Sequence, residues 1–335
     1  MGNALLVMFG SIILVFLAAV VFVNAIEYCG MRLHLGSSFV GAILAPLFTS
    51  FPELTVFLVA VFAYGGAAGQ DIGIGTLFGQ PFMASSLSYG LVGIAALIGW
   101  RLAKRTDSAL VVDKSLAIPY IFITILFPLT LVPALLDTSF ARYVMGTIFL
   151  GAFVVYVCLM FRSKEAELIE EAEDSYLHRF GRKVIPWPMV AALVQIVVAV
   201  ALLYVGSEKM VRSVDVLASR MGMSTLGLAL IVVPAATAIP ETASALLWGY
   251  RGKDTLSLGS LVGEKILYST FYPGLGLFLT SWDLDRHAYF SVAATTVVSS
   301  ILLYFILKGR LPWFGLMTGL FFFVAYAILM FAFNF

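Results

Sequence analysis

Runs of about 20 apolar residues, the length that crosses a hydrocarbon layer of roughly 30 Å as a helix, recur along this whole chain. A backbone in lipid must satisfy its own hydrogen bonds, so such runs are helices. The composition agrees: 61% of the 335 residues are hydrophobic and 12% are charged, and mean hydropathy is +1.01. A water-soluble domain needs more polar surface than that. The chain reads as an all-α polytopic membrane protein of about ten transmembrane helices. The expected spans are 3–26, 36–63, 71–99, 115–136, 140–161, 186–207, 221–249, 256–281, 287–307 and 311–333. The N-terminus enters an apolar run with no basic preamble or small-residue cleavage site, so it reads as a retained first helix.

The remaining composition narrows the class. Trp100, Trp187, Trp248, Trp282 and Trp313 fall at expected span ends, where amphipathic rings settle. Fourteen lysines and arginines lie in the odd-numbered loops and five in the even-numbered ones. By that bias the odd loops are cytoplasmic and both termini extracytoplasmic, in what is expected to be the plasma membrane. A net charge of +1 gives no reason to expect a nucleic-acid partner. Cys29 and Cys158 read as buried small apolar residues, and His34, His178 and His287 fall in expected loops, so no soft-metal site or resident cofactor is expected.

One short segment occurs twice. Residues 46–53 read PLFTSFPE and residues 234–241 read PAATAIPE, with Pro46/Pro234, Thr49/Thr237, Pro52/Pro240 and Glu53/Glu241 in register. Farther on, GTLFGQPF (75–82) matches GSLVGEKI (259–266), with Gly75/Gly259 and Gly79/Gly263 aligned. The copies sit five spans apart, an odd number, so equivalent helices run in opposite directions. The chain therefore divides into a first five-helix repeat (1–161), a cytoplasmic linker (162–185) and a second, inverted five-helix repeat (186–335), a build found in many secondary transporters. The G-x-x-x-G spacings suit close helix packing, bringing the third and eighth spans against their neighbours.

Few charges fall inside the spans: Glu53, Glu241, Glu264 and Lys265, with Asp71 near a span start. Each costs about 3 kcal/mol at mid-bilayer on insertion scales, so several carboxylates there point to use. The prolines add acceptors. A proline lacks the N–H that would bond the carbonyl four residues earlier. Pro52 frees Phe48, Pro46 frees Ala42, Pro240 frees Ala236 and Pro234 frees Leu230, breaking the helices in mid-membrane. Carbonyls, threonine hydroxyls and carboxylates form a hard, all-oxygen ligand set that suits Ca²⁺ and Na⁺. Two facing carboxylates neutralise one divalent ion and serve monovalent ions or protons equally well.

These segments resemble the repeats of the cation/Ca²⁺ exchanger superfamily, which includes the sodium/calcium exchangers. The family's first motif, approximately G-T-S-x-P-E, corresponds to FTSFPE at 48–53 and ATAIPE at 236–241. Its next motif, approximately G-N/T-x-x-G-S-N, corresponds to GTLFGQP at 75–81 and GSLVGEK at 259–265. The resemblance implies a Ca²⁺ site between spans two, three, seven and eight, alternately open to each side. Glu53 and Glu241 would be its central ligands, joined by Thr49, Thr237 and Ser50. Thr76 and Ser260 would lie in supporting helices, with Gln80 and Glu264 also in the ligand set. Spans one and six would slide or rock against the rest. Gln80-Pro81 and Glu264-Lys265 replace the family's Ser-Asn, and Ala238 replaces a serine. Those departures open the counterion to Na⁺ or H⁺, and Lys265 either stands near the carboxylates as a fixed ammonium or pairs with Glu264 away from the pathway.

The expected function is secondary antiport of Ca²⁺ for Na⁺ or H⁺ at a two-glutamate site in the membrane midplane. A proton-coupled or other-cation transporter, or a cation channel, is the alternative on the same scaffold. The sequence contains no H-E-x-x-H, G-x-G-D or G-x-S-x-G, so an intramembrane enzyme is not expected.

Overall fold

A computed structural model describes residues 2–32, 45–162, 174–181 and 185–333. Helices or broken helices occupy the described parts of the expected spans, the second from residue 45 onward. In chain order these are α1 (Gly2–Arg32), α2 (Ala45–Thr49), α3 (Phe51–Leu58) and α4 (Gly66–Met83), then α5 (Tyr89–Arg101), α6 (Ala117–Leu129), α7 (Val132–Leu136) and α8 (Ser139–Arg162). There follow α9 (Tyr176–Gly181), α10 (Pro188–Met221), α11 (Thr225–Thr237) and α12 (Ile239–Tyr250). The chain closes with α13 (Asp254–Ser269), α14 (Phe271–Leu279), α15 (Arg286–Leu307) and α16 (Trp313–Phe333). Among the described residues, seven helical segments are long and apolar enough to cross a membrane unaided. The pair Thr225–Thr237 and Glu241–Tyr250, bent by 65°, makes an eighth. The fold is that of an all-α polytopic membrane protein.

Two helices run longer than expected. α1 continues to Arg32, and α10 continues to Met221 through Glu208, Lys209, Arg212 and Asp215, which were expected in a loop. Polar side chains at a helix end cost nothing where the end leaves the apolar layer, so hydropathy marks the membrane edge and not the helix end. α1 and α10 pack along each other. Gln195 of α10 donates to the Val21 carbonyl at 2.8 Å and to Asn24 at 3.0 Å, and Asn24 accepts the Tyr176 N–H, tying α9 to the pair.

Two π-helical stretches interrupt the regular ladder, Val59–Tyr64 after α3 and Ala84–Ser88 between α4 and α5. Such stretches shift side-chain phase within a continuous helix and concentrate at functional sites. A large core joins Phe57, Ile72, Phe78, Phe82, Leu203 and Leu230; a second centres on Val92, Leu258, Val298 and Leu316.

The loops sort to two ends. At one, an antiparallel ladder pairs Leu110 with Leu311 and Val111 with Arg310, and Arg310 bonds Asp107. The backbone N–H of Ala109, with Arg310, holds the exposed Asp107 carboxyl below the usual carboxylate range. At the same end Arg105 joins Asp254 at 3.0 Å and donates to the Gly249 carbonyl at 2.7 Å. At the other end Ser281 donates to Gln70, and Arg142 donates to the Ser281 carbonyl at 3.0 Å.

Several expectations need correction. Cys158 is exposed; only Cys29 is buried. His287 is the second residue of α15, fully buried and hydrogen-bonded to Tyr326 at 3.0 Å, and His178 lies in α9. Asp285 caps α15 by accepting the His287 and Ala288 N–H groups, which pulls the helix start ahead of its apolar run. Trp282 is 2% exposed and packs on Phe78, so its ring serves the core. His34 and most of the linker lie outside the described residues.

Candidate functional site

The helix breaks fall two residues before the repeated Pro-Glu pairs. Between α2 and α3 the chain kinks at Ser50 (φ −89°, ψ 7°), and between α11 and α12 at Ala238 (φ −83°, ψ −1°). Proline fits the first turn of a helix, where no N–H partner is required, so each Pro restarts the helix it interrupts. Glu53 and Glu241 consequently stand in the first turns of α3 and α12. The unpaired N–H groups of a helix start favour a carboxylate there.

The four prolines do not act alike. Pro234 remains inside α11, which runs unbroken from Thr225 to Thr237. The Leu230 carbonyl that it frees does not reach the site, because it abuts the backbone of Gly79, where an added Cβ would stand 2.6 Å away. At Gly75 a Cβ would meet the Leu226 carbonyl at 2.7 Å. The first G-x-x-x-G therefore seats α4 directly on α11. Its counterpart differs: among the described residues nothing lies within 4 Å of a Cβ built at Gly259. The Ala42 carbonyl lies outside the described residues.

Glu53, Glu241 and Glu264 come within electrostatic range of one another. Glu53 is 2% exposed and Glu264, on α13, is 7% exposed. Gln80 donates through Nε2 to Glu264 Oε2 at 3.1 Å, and the Thr49 side chain makes a hydrogen-bonding contact with the same carboxylate. Thr237 lies beside Glu53, with its hydroxyl turned to the Val233 carbonyl at 3.2 Å. Ser50 is buried, and Tyr272 engages both its hydroxyl (2.6 Å) and its carbonyl (3.0 Å). The remaining two expected residues stand apart. Thr76 bonds the Ile72 carbonyl at 2.8 Å, and Ser260 bonds the Ser257 carbonyl at 3.0 Å, each within its own helix.

Among the described residues, five acceptor oxygens in this cluster are buried without a donor: both oxygens of Glu53, Oε2 of Glu241, and Oε1 of Glu264 and of Gln80. Buried acceptors are ordinarily paired, and orphaned ones cost about 1–3 kcal/mol each. A cation among them would supply what they lack. They do not form a finished cage, since among the described residues no three carboxylate, imidazole or thiol groups are disposed to hold a metal ion together. A small cavity of about 10 Å³, room for roughly one water-sized particle, lies between Gln80, Ser88, Glu241, Glu264, Lys265 and Tyr268.

Tyr268 and Tyr272 belong to this site although the repeat did not mark them. Their rings lie 4.7 Å apart, and the buried Tyr268 hydroxyl has no partner among the described residues. The signal available was spacing, because Tyr268 follows Glu264 by four residues and so shares its helical face.

Known proteins agree with this architecture. The family described as sodium/calcium exchanger protein matches residues 3–162 and 191–334. "Putative antiporter CaxA" of Alkalimonas amylolytica is 27% identical over 327 residues, covering 93% of each chain. Inner membrane protein YrbG of Escherichia coli K12 is 24% identical over 275 residues, 82% of this chain and 79% of that one. Among solved structures, the H⁺/Ca²⁺ exchanger CAX superposes with a TM-score of 0.74 at 17% identity, over 97% of this chain and 82% of that one. The sodium-calcium exchanger NCX_Mj superposes at 0.58 and 19% identity, over 97% and 98%. At those identities the superpositions speak to the fold, while the family match spans nearly all of both halves, and the chain belongs to the sodium/calcium exchanger family of membrane transporters.

Proposed function

We propose that this transporter exchanges Ca²⁺ for Na⁺ or H⁺ by alternating access, with Ca²⁺ held between Glu53 and Glu241 and supported by Glu264, Gln80, Thr49 and Thr237. The observation that carries the reading is the set of five buried oxygens, donorless among the described residues, contributed by α3, α4, α12 and α13. Oxygen donors with net negative charge are the preferred surroundings of Ca²⁺, and two carboxylates balance its charge. The absence of a closed cage suits a carrier, which must release its ion as readily as it takes it up. Ser50, Thr76 and Ser260 shape the surrounding helices in this reading.

Further support comes from the repeat. The Pro-Glu breaks stand on α2–α3 and on α11–α12, so residues 1–161 and 186–335 act as inverted halves around one midplane site, joined by 162–185. The excess of basic residues in the loops after α1, α5, α8, α12 and α15 favours placing those loops in the cytoplasm and both termini outside, in the plasma membrane.

Radiocalcium uptake into proteoliposomes under imposed Na⁺ or pH gradients tests the proposal. Uptake should follow one of the two gradients and fall to background in E53Q and E241Q. Uptake that survives both substitutions would sink the two-glutamate site, and uptake independent of either gradient would indicate a channel.

A further inference from the structure

Lys265 follows Glu264 on α13 and is 1% exposed. Of the 20 lysines and arginines in the chain, Lys265 alone falls deep within an expected span, Arg142 lying at the edge of another. Among the described residues no ion pair includes it. Its Nζ donates to Ser85 Oγ at 2.8 Å and lies 3.5 Å from Ser299 Oγ. It also stands over two aromatic faces, 4.3 Å from the Tyr89 ring centroid and 5.2 Å from that of Tyr120. Tyr120 donates its hydroxyl to the Tyr89 hydroxyl at 2.7 Å, which fixes both rings.

These partners come from three separate pieces of the fold: the helix that runs through the π-helical stretch 84–88 into α5, together with α6 and α15. Two hydroxyl oxygens and two π faces do for a cation what its water shell would do. They offer a neutral amine no comparable attraction. The pocket adjoins the ion cluster, for Lys265, Glu241 and Glu264 line the same cavity.

We infer that the Lys265 ammonium fills a built monovalent-cation pocket formed by Ser85, Ser299, Tyr89 and Tyr120, as a tethered substitute for a counter-cation that would otherwise bind beside the carboxylates. Its role in exchange rests on the proposed Ca²⁺ site, whereas the existence of the pocket does not. A tethered ion cannot be transported. The exchanger is thereby restricted to whatever counterions the glutamates themselves carry.

The test counts monovalent ions on purified protein, using radiosodium and also radiorubidium, whose size is close to that of an ammonium. K265S, which empties the pocket and leaves another hydroxyl in it, should bind one more ion per chain than the wild type for one of the two probes. K265R, which keeps the charge, should match the wild type. Equal stoichiometry in wild type and K265S overturns the inference. K265A serves if K265S does not fold, and the wild type supplies a readout free of any variant. Loaded with Ca²⁺, it should hold neither probe; simultaneous binding of Ca²⁺ and a monovalent ion would show that the lysine displaces nothing. Ca²⁺ binding that persists in E53Q would refute the two-glutamate site without altering these counts, so the two failures are separable.

Discussion

At Gly79 the packing leaves no room for one more carbon. A methyl group there would stand 2.6 Å from the Leu230 carbonyl and 2.8 Å from the Pro234 ring, and backbone cannot step aside as a flexible side chain can. G79A should therefore cost about 1–3 kcal/mol of stability. G259A should stay within about 0.5 kcal/mol of neutral, its site being open among the described residues. Thermal unfolding of the two variants in detergent compares them directly, and equal losses would contradict the difference in packing between the two positions. Glu264 supplies a second residue-level expectation. Removing its charge leaves Glu53 and Glu241 to balance Ca²⁺, so E264Q should weaken Ca²⁺ binding without abolishing it, read from radiocalcium binding. Glu53 and Glu241 were legible from sequence because each repeats beside a proline. The surroundings of Lys265 were not, since Ser85, Tyr89, Tyr120 and Ser299 lie up to 180 residues from it and converge only in the fold.

Between elements, one clasp stands out at the end that gathers the α5, α12 and α15 loops. Arg105 is buried and donates to the carbonyls of Asp107, Gly249 and Ala109 as well as to Asp254, which also accepts the Val111 N–H at 2.8 Å. Removing one partner of a buried pair strands the other, at about 3–5 kcal/mol. R105A and D254A should each lose that much, measured by thermal unfolding, and the double variant should lose less than the sum of the two. Asp107 adds a pH dependence of known sign. Its carboxyl is held low in the folded state, so its contribution is present above the ordinary carboxylate pKa and is lost as pH falls through the folded one. That acid limb should flatten in D107N. Hydropathy located all the elements that meet here, but it could not foresee the clasp, whose arginine reads in sequence as one more loop cation. The broken helices divide similarly. Pro52 and Pro240 predicted the kinks at Ser50 and Ala238, while Pro234 stays helical because α4 covers the carbonyl it frees.

Across the whole molecule, alternating access as proposed calls for a moving part, and the paired α1 and α10 offer one that can be tested. They run 31 and 34 residues, and they are joined to each other by the Asn24–Gln195 hydrogen bond. Their outer faces are apolar and exposed at Leu6, Ile13, Leu17, Val197 and Val198. Such a face slides along lipid at little cost, because hydrocarbon touches hydrocarbon before and after the movement. Their contact with α3 is apolar where the Phe22 and Phe51 rings stack at 4.6 Å, with one hydrogen bond, from Tyr64 to Asp215 at 2.6 Å, joining α10 to the stretch that follows α3. Apolar contacts lack the directionality that would fix one register. If the pair rocks against the site as a unit, a bridge within it should be harmless and a bridge out of it should not. In a background lacking Cys29 and Cys158, N24C with Q195C, joined by a short thiol-bridging reagent, should retain calcium exchange. F22C with F51C, joined the same way, should lose it and regain it when a cleavable reagent is reduced. Exchange that continues through the second bridge would place the moving boundary elsewhere, and exchange stopped by the first would mean that α1 and α10 slide past each other.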